Sequence, residues 1–233
     1  MLKKSAGNMY NWVTHTHGHL AGKCSHACSY CYVQAMGERF PAMKAKYSGP
    51  IRLIKSELSV DYGSEKTIFI EHMNDLFADG VTDEMIGHII CHVNGFPDNK
   101  YVFQTKNPLR AEGWLLKSGI KSFMIGTTIE SNREYPSISK APSPENRRRG
   151  MMAFIGKAET FITIEPILDC DVDHLCAIIC DIKPAFVNIG ADSKGCNLPE
   201  PSPAKIKELV RNLQTAGIVI RKKSNLSRLM DAK

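Results

Sequence analysis

Short apolar runs, rich in β-branched and aromatic residues, recur along the chain: YNWVTHT (10–16), KTIFIEH (66–72), KYVFQTK (100–106), SFMIGTT (122–128), TFITIEP (160–166), AFVNIGA (185–191) and the shorter GIVIR (217–221). Their length and composition predict strands. Between them, apolar residues fall at helical spacing over 32–36, 82–93, 109–117, 145–155, 172–182 and 202–216. Strand–helix alternation predicts right-handed βαβ units and a parallel sheet. The strands read as continuously apolar rather than alternating, the pattern of a sheet covered on both faces. Such units form either an open barrel or a doubly wound sheet, and the periodicity is the same for both.

In either arrangement ligands sit at the C-terminal ends of the strands. Those ends are polar: His15 to His17, Glu71 to Asp75, Gln104 to Asn107, Thr127 to Arg133, Glu165-Pro166, and Asn188 to Asp192. The Pro-rich stretches at 141–150 and 197–205 are short enough to be loops, so the expectation is a single domain over 1–233, with a C-terminal helix and short strand at 202–221.

Composition adds limits. With 43% hydrophobic and 23% charged residues, the 233-residue chain is ordinary for a globular protein and long enough to bury a core without staples. The basic N-terminus lacks the apolar core of a signal peptide, and no apolar run approaches the roughly 18 residues of a membrane span. The expectation is a cytoplasmic protein with reduced thiols and no membrane partner, so its eight cysteines are not a disulfide framework. A net charge of +6 permits a polyanionic partner without requiring one. The densest basic stretches, NRRRG (146–150) and RKKSNLSR (221–228), read first as solvated surface.

One loop departs from this background. GKCSHACSYCY (22–32) places Cys24, Cys28 and Cys31 at C-x3-C-x2-C spacing. A structural zinc site wants four protein ligands, and His26 within the loop would supply the fourth. A ferredoxin-type cluster also wants four. Three cysteines in one loop better suit a [4Fe–4S] cluster with three irons held by protein and one left open for a cofactor or substrate.

The C-x3-C-x-aromatic-C pattern, with Tyr30 as the aromatic, resembles the signature of the radical S-adenosylmethionine (radical SAM) enzymes, and it follows the first predicted strand, as it does there. The stretches IFIEHMNDLFAD (68–79), FQTKNP (103–108), IGTTIES (125–131) and FITIEPILD (161–169) resemble small radical SAM proteins common in phages and prophages, over about residues 10–192. The run CSHACSYCY is also similar to the cluster loop of spore photoproduct lyase, a radical SAM enzyme acting on thymine in DNA.

The resemblance implies an α/β fold, a partial (β/α)6 TIM-like barrel with parallel strands. It implies a [4Fe–4S] cluster on Cys24, Cys28 and Cys31, with S-adenosyl-L-methionine at the open iron and an external one-electron reductant of the flavodoxin or ferredoxin type. The cofactors would then supply a 5′-deoxyadenosyl radical that abstracts a hydrogen atom from substrate. By position, Tyr30 packs toward the adenine. His72, Asn74 and Asp75 stand where the superfamily has a Gly-Gly-Glu stretch contacting the methionine amino group, a departure that leaves this contact open. Thr128, Glu130, Ser131 and Arg133 are candidates for the ribose and carboxylate, and Gln104, Lys106 and Glu165 for substrate. The expected substrate is DNA or a nucleotide, as in phage DNA base modification by an isomerase, mutase or lyase reaction. The alternatives are peptide or protein modification, including glycyl-radical activation, and a non-catalytic zinc or iron–sulfur protein.

Other clusters carry less. His15, His17 and His19 alternate and would share a strand face, which suits either a metal or a wall of the cluster pocket. Cys170, Cys176 and Cys180, with Cys196, are conceivable as a second cluster, but Cys176 and Cys180 fall on an apolar helix where free cysteine is a common core residue. Cys91 also reads as core.

Overall fold

The structure, a computed structural model, describes residues 2–5 and 9–230. Its strands are β1 (Lys3–Lys4), β2 (His15–His17), β3 (Leu20–Ala21), β4 (Arg52–Leu53), β5 (Thr67–Ile70), β6 (Lys100–Gln104), β7 (Phe123–Thr128), β8 (Glu159–Ile164), β9 (Phe186–Ile189) and β10 (Ile220–Lys222). Its helices are α1 (Tyr32–Arg39), α2 (Pro41–Lys46), α3 (Asp83–Asn94), α4 (Pro108–Leu115), α5 (Pro144–Met152), α6 (Val172–Ile182), α7 (Pro203–Thr215) and α8 (Ser227–Met230).

The central sheet has eight strands in the order β1-β2-β5-β6-β7-β8-β9-β10. Apart from β1, antiparallel to β2, all its neighbouring strands pair in parallel. This order decides what periodicity left open. A doubly wound sheet reverses direction at a switch point. Here each strand of the parallel part is laid down beside the last, so right-handed crossovers put α3 to α7 on one face and the sheet curls as in a βα barrel. Among the described residues β1 and β10 each have one neighbour, so the sheet stays open along that seam.

The two faces separate by strand parity. Ile68 and Ile70, Tyr101 and Phe103, Ile125, Ile162 and Ile164, Val187 and Ile189 point outward into the large core, with Ile86 and Ile89 of α3, Leu175 and Ile179 of α6, and Leu209 and Leu213 of α7. The intervening Phe69, Val102, Met124, Phe161 and Phe186 point inward and form a second cluster. Both faces are buried, which is why the strands read as continuously apolar. The inner layer is plugged from below by the segment before β2: Tyr10 and Trp12 stack 5.2 Å apart and meet Phe161 edge-on. The run at 10–16 is therefore a strand only over β2, because its first aromatics leave the sheet plane to fill the interior.

Two further expectations are corrected. The antiparallel pair β3–β4 and the helix α2, both absent from the periodicity reading, make residues 22–55 an excursion folded outside the sheet. Its stems touch at Gly22, where φ is +94° and any Cβ would collide with the Pro50 carbonyl. Cys91 is exposed. The buried face of α3 is Ile86, Ile89, Ile90 and Val93, and position 91 falls off that stripe.

Candidate functional site

Two positions further along each strand, the inner face changes from apolar to polar. Phe69 is followed by Glu71, Val102 by Gln104 and Lys106, Phe161 by Thr163 and Glu165, and Met124, beyond Gly126, by Thr128. These side chains ring a cavity of about 730 Å³ at the C-terminal ends of the strands. The loop after β3 closes its side, so Cys24, Cys28 and Cys31 line the same cavity. The loop turns twice to do this. Ala27 N–H donates to the Cys24 carbonyl, Cys31 N–H to that of Cys28, and Ala27 takes a left-handed φ of +46° between them.

Asp75, in the loop after β5, ties the cysteine loop to the sheet. Its carboxylate accepts from Thr105 Oγ1 at 2.7 Å and Lys106 N–H at 2.7 Å, and pairs with His26 Nε2 at 2.9 Å. Burial pushes its pKa up, but the neighbouring His26 and these hydrogen bonds outweigh that and hold it below the usual carboxylate range. His26 is thus committed to Asp75. Beside Asp75, burial and that carboxylate push the Cys24 thiol up to about 12; a coordinated metal reverses this, since a metal-bound thiol is deprotonated. Among the described residues no three His, Cys, Asp or Glu side chains converge on one ion.

The donor set fits a cluster and a cofactor beside it. Three thiols face a roomy cavity, and two further lining residues carry buried polar atoms without a partner, His72 Nδ1 and Asn74 Oδ1. Asn74 Nδ2 is held by the Gly22 carbonyl at 3.2 Å, leaving its oxygen as an acceptor suited to an ammonium group.

Glu130 is placed differently. It is buried between Lys106 Nζ at 3.0 Å and Arg147 Nη1 at 2.5 Å, and Tyr30 OH donates to it as well. Burial alone would raise its pKa, but the two cations hold it well below the carboxylate range, and it in turn holds Lys106 above the ordinary lysine value. Lys106 also lies 5.1 Å above the Tyr30 ring. This network makes Tyr30 the wall between the main cavity and a smaller one of about 240 Å³. Ser131 and Arg133 line the smaller cavity and not the main one; Ser131 Oγ donates to the Asp169 carbonyl and Arg133 pairs with the Asp169 carboxylate.

At the far side of the main cavity Glu165 pairs with Lys223 at 2.9 Å. Gly190 makes room for it, since a Cβ there would lie 2.9 Å from the Glu165 carboxyl. On the floor, Tyr10 OH donates to Gln104 Oε1 at 2.9 Å and lies 3.0 Å from Thr163 Oγ1, while Gln104 Nε2 donates to Thr128 at 3.2 Å.

The basic stretches are not simply solvated. Arg147 of NRRRG is the buried partner of Glu130, and Arg148 pairs with Glu145 and Asp181. In the second stretch Lys223 meets Glu165, Arg221 stacks 3.5 Å from the Phe186 ring centroid, and Arg228 pairs with Glu200. Sequence reading missed Tyr10, Thr163 and Lys223 as cavity residues. The strand-end rule, applied to β10, points to Lys223. His17 and His19 are buried behind the cavity wall, His19 bonded to Glu71 at 2.8 Å and to His92 at 2.9 Å, whereas His15 turns to Thr14. Cys170 is buried, and Cys176, Cys180 and Cys196 are partly so.

The profile of a family described as a protein of unknown function (DUF5131) matches residues 8–181. No curated protein sequence matches. Among solved structures, a tyrosine-to-phenylalanine mutant of spore photoproduct lyase superposes with a TM-score of 0.63 at 11% identity, over 94% of this chain and 78% of that one. Spore photoproduct lyase complexed with dinucleoside spore photoproduct gives 0.57 at 14% identity, over 90% and 64%. A mutant with bound AdoMet and dinucleoside spore photoproduct gives 0.54 at 13%, over 88% and 63%. At these identities the likeness is one of fold.

Proposed function

Starting from a chain that belongs to the DUF5131 family, we propose a radical SAM enzyme that abstracts a hydrogen atom from a nucleic-acid base or base adduct. The observation that carries this is the convergence of Cys24, Cys28 and Cys31 on one large cavity at the strand ends. When bound, a [4Fe–4S] cluster and S-adenosylmethionine supply the 5′-deoxyadenosyl radical. Cys24, Cys28 and Cys31 would hold the cluster. Asn74 Oδ1 would accept from the methionine ammonium, and Asp75 positions the cysteine loop through His26. Tyr30, fixed by Glu130 and Lys106, forms the wall beside the cysteines and keeps that side closed to water. Gln104, Thr163, Tyr10 and the Glu165–Lys223 pair face the opposite side, where substrate would be oriented.

The substrate class is supported by the solved neighbour that carries a dinucleoside photoproduct, and the reaction would be of isomerase, mutase or lyase type. The one-electron reductant would be a small external flavin or iron–sulfur protein. Anaerobic reconstitution should give about four irons per chain, and reduction with S-adenosylmethionine should release 5′-deoxyadenosine. Release that survives Cys28→Ala overturns the proposal. Deuterium transfer from a labelled oligonucleotide into 5′-deoxyadenosine supports the substrate class; transfer from a labelled peptide replaces it with peptide modification.

A further inference from the structure

The excursion over residues 22–55 concentrates the charge of the protein. It holds Lys23, Arg39, Lys44, Lys46, Arg52 and Lys55 against the single acid Glu38, a net +5 of the chain's +6. These residues share one compact unit. Gly22 N–H donates to the Lys46 carbonyl at 2.9 Å, Lys23 N–H to that of Gly49 at 2.9 Å, and β3 pairs with β4. Among the described residues none of the six cations makes an ion pair; elsewhere some cations do, such as Arg110, Arg147 and Arg148, and others, such as Lys157 and Lys207, do not.

The unit also gains little from the core. α1 buries only Val33 and Gly37, and α2 buries none of its residues. Aromatic rings stand among the cations: Phe40 is 49% exposed and Tyr32 40%. The Arg39 guanidinium lies 5.8 Å from the Phe40 ring, and Lys46 5.3 Å from that of Tyr47. Tyr32 of α1 and Tyr47, directly after α2, line the cysteine cavity, so the excursion borders it.

We infer that the surface of this excursion is the track for a polynucleotide, its phosphates on Arg39 at the end of α1, Lys44 and Lys46 of α2 and Lys55 just after β4, and an unpaired base stacked on Phe40. The inference rests on the nucleic-acid reading of the cavity and adds where the rest of the substrate lies. Cations alone suit any polyanion. Cations interleaved with exposed rings suit phosphates alternating with bases, since every base offers a stacking face.

The test uses full-length protein and fluorescein-labelled single-stranded DNA of 12 nucleotides, with the matching RNA and duplex, read by anisotropy across 50–200 mM KCl. The variant R39Q/K44Q/K46Q/K55Q removes four charges from the face. The control K157Q/K183Q/K207Q/R211Q removes four exposed charges from elsewhere. Counterion release contributes about −0.7 to the log–log salt slope per phosphate contact on single strands. The face variant should therefore flatten the slope by up to about 3 and weaken binding at least tenfold at 100 mM salt, while the control shifts it less than threefold. Phe40→Ala should weaken binding several-fold and leave the slope unchanged, and duplex should bind less tightly than either single strand. Equal losses in the two quadruple variants overturn the inference. So does tighter binding of poly-glutamate than of DNA with Phe40→Ala silent, which assigns the face to an acidic protein. Cleavage of S-adenosylmethionine without added oligonucleotide reports on the radical reading alone. It should be unchanged in the face variant, so failure of the track and failure of the chemistry are separately visible.

Discussion

Replacing Glu130 by Gln tests whether the buried network beside the cysteines is a structural unit. Glu130, Lys106 and Arg147 side chains are 8%, 14% and 5% exposed, so water does not take over when the carboxylate is lost. At the observed separations of 3.0 and 2.5 Å, an effective dielectric near 20 makes each attraction about 5–7 kcal/mol before desolvation. Desolvating the ions costs several kcal/mol apiece, so the intact network is close to balanced. Glutamine keeps the shape and one acceptor but leaves two buried cations facing an amide. Removing one partner of such a pair costs about 3–5 kcal/mol. For a chain of this size that lowers Tm by roughly 6–20 °C. Urea denaturation of the apo-protein, with the double variant E130Q/K106M, measures it. The double variant should lose less than the sum of the two singles by 1 kcal/mol or more, on the order expected for coupled neighbours. A Glu130→Gln protein within about 1 kcal/mol of wild type refutes the reasoning and returns Glu130 to a purely ligand-directed role.

Burial lowers the His17 pKa from 6.5 to about 3, so the unfolded chain takes up a proton that the folded chain refuses. Stability is therefore lost as pH falls below about 6.5, by about 2 kcal/mol at pH 5 from this residue, and His17→Gln should flatten that part of a pH–denaturation curve. Asp75→Asn puts an amide where three donors, Thr105 Oγ1 and the Lys106 and Phe77 N–H groups, and His26 meet a carboxylate. It should cost about 1–3 kcal/mol and lower the iron taken up on reconstitution, with the thiol titre unchanged; full iron loading would show that the loop does not depend on this tie. Gly126→Ala would drive a methyl group into the buried Phe161 ring, and about 1–3 kcal/mol of destabilisation by denaturation is expected, with wild-type stability refuting the close approach.

The sequence alone determined the strand–helix alternation, the mostly parallel sheet and the three-cysteine loop, because apolar runs, helical spacing and cysteine spacing are local properties. It also indicated where a site would lie, since strand ends are readable from strand positions. Tertiary structure decided the rest. Inner and outer strand positions are both apolar, so only packing shows that Phe69, Val102, Met124, Phe161 and Phe186 share an interior with Tyr10 and Trp12. Barrel-like order over a doubly wound sheet is set by which strand lies beside which, and neighbours in space leave no mark in periodicity. Glu130, Lys106 and Arg147 are separated by tens of residues, and what makes them one network is the low dielectric in which they meet. His26 carries the same point. Within its loop it reads as a fourth metal ligand, and only the approach of Asp75 from the loop after β5 makes it the tie between the cysteine loop and the sheet.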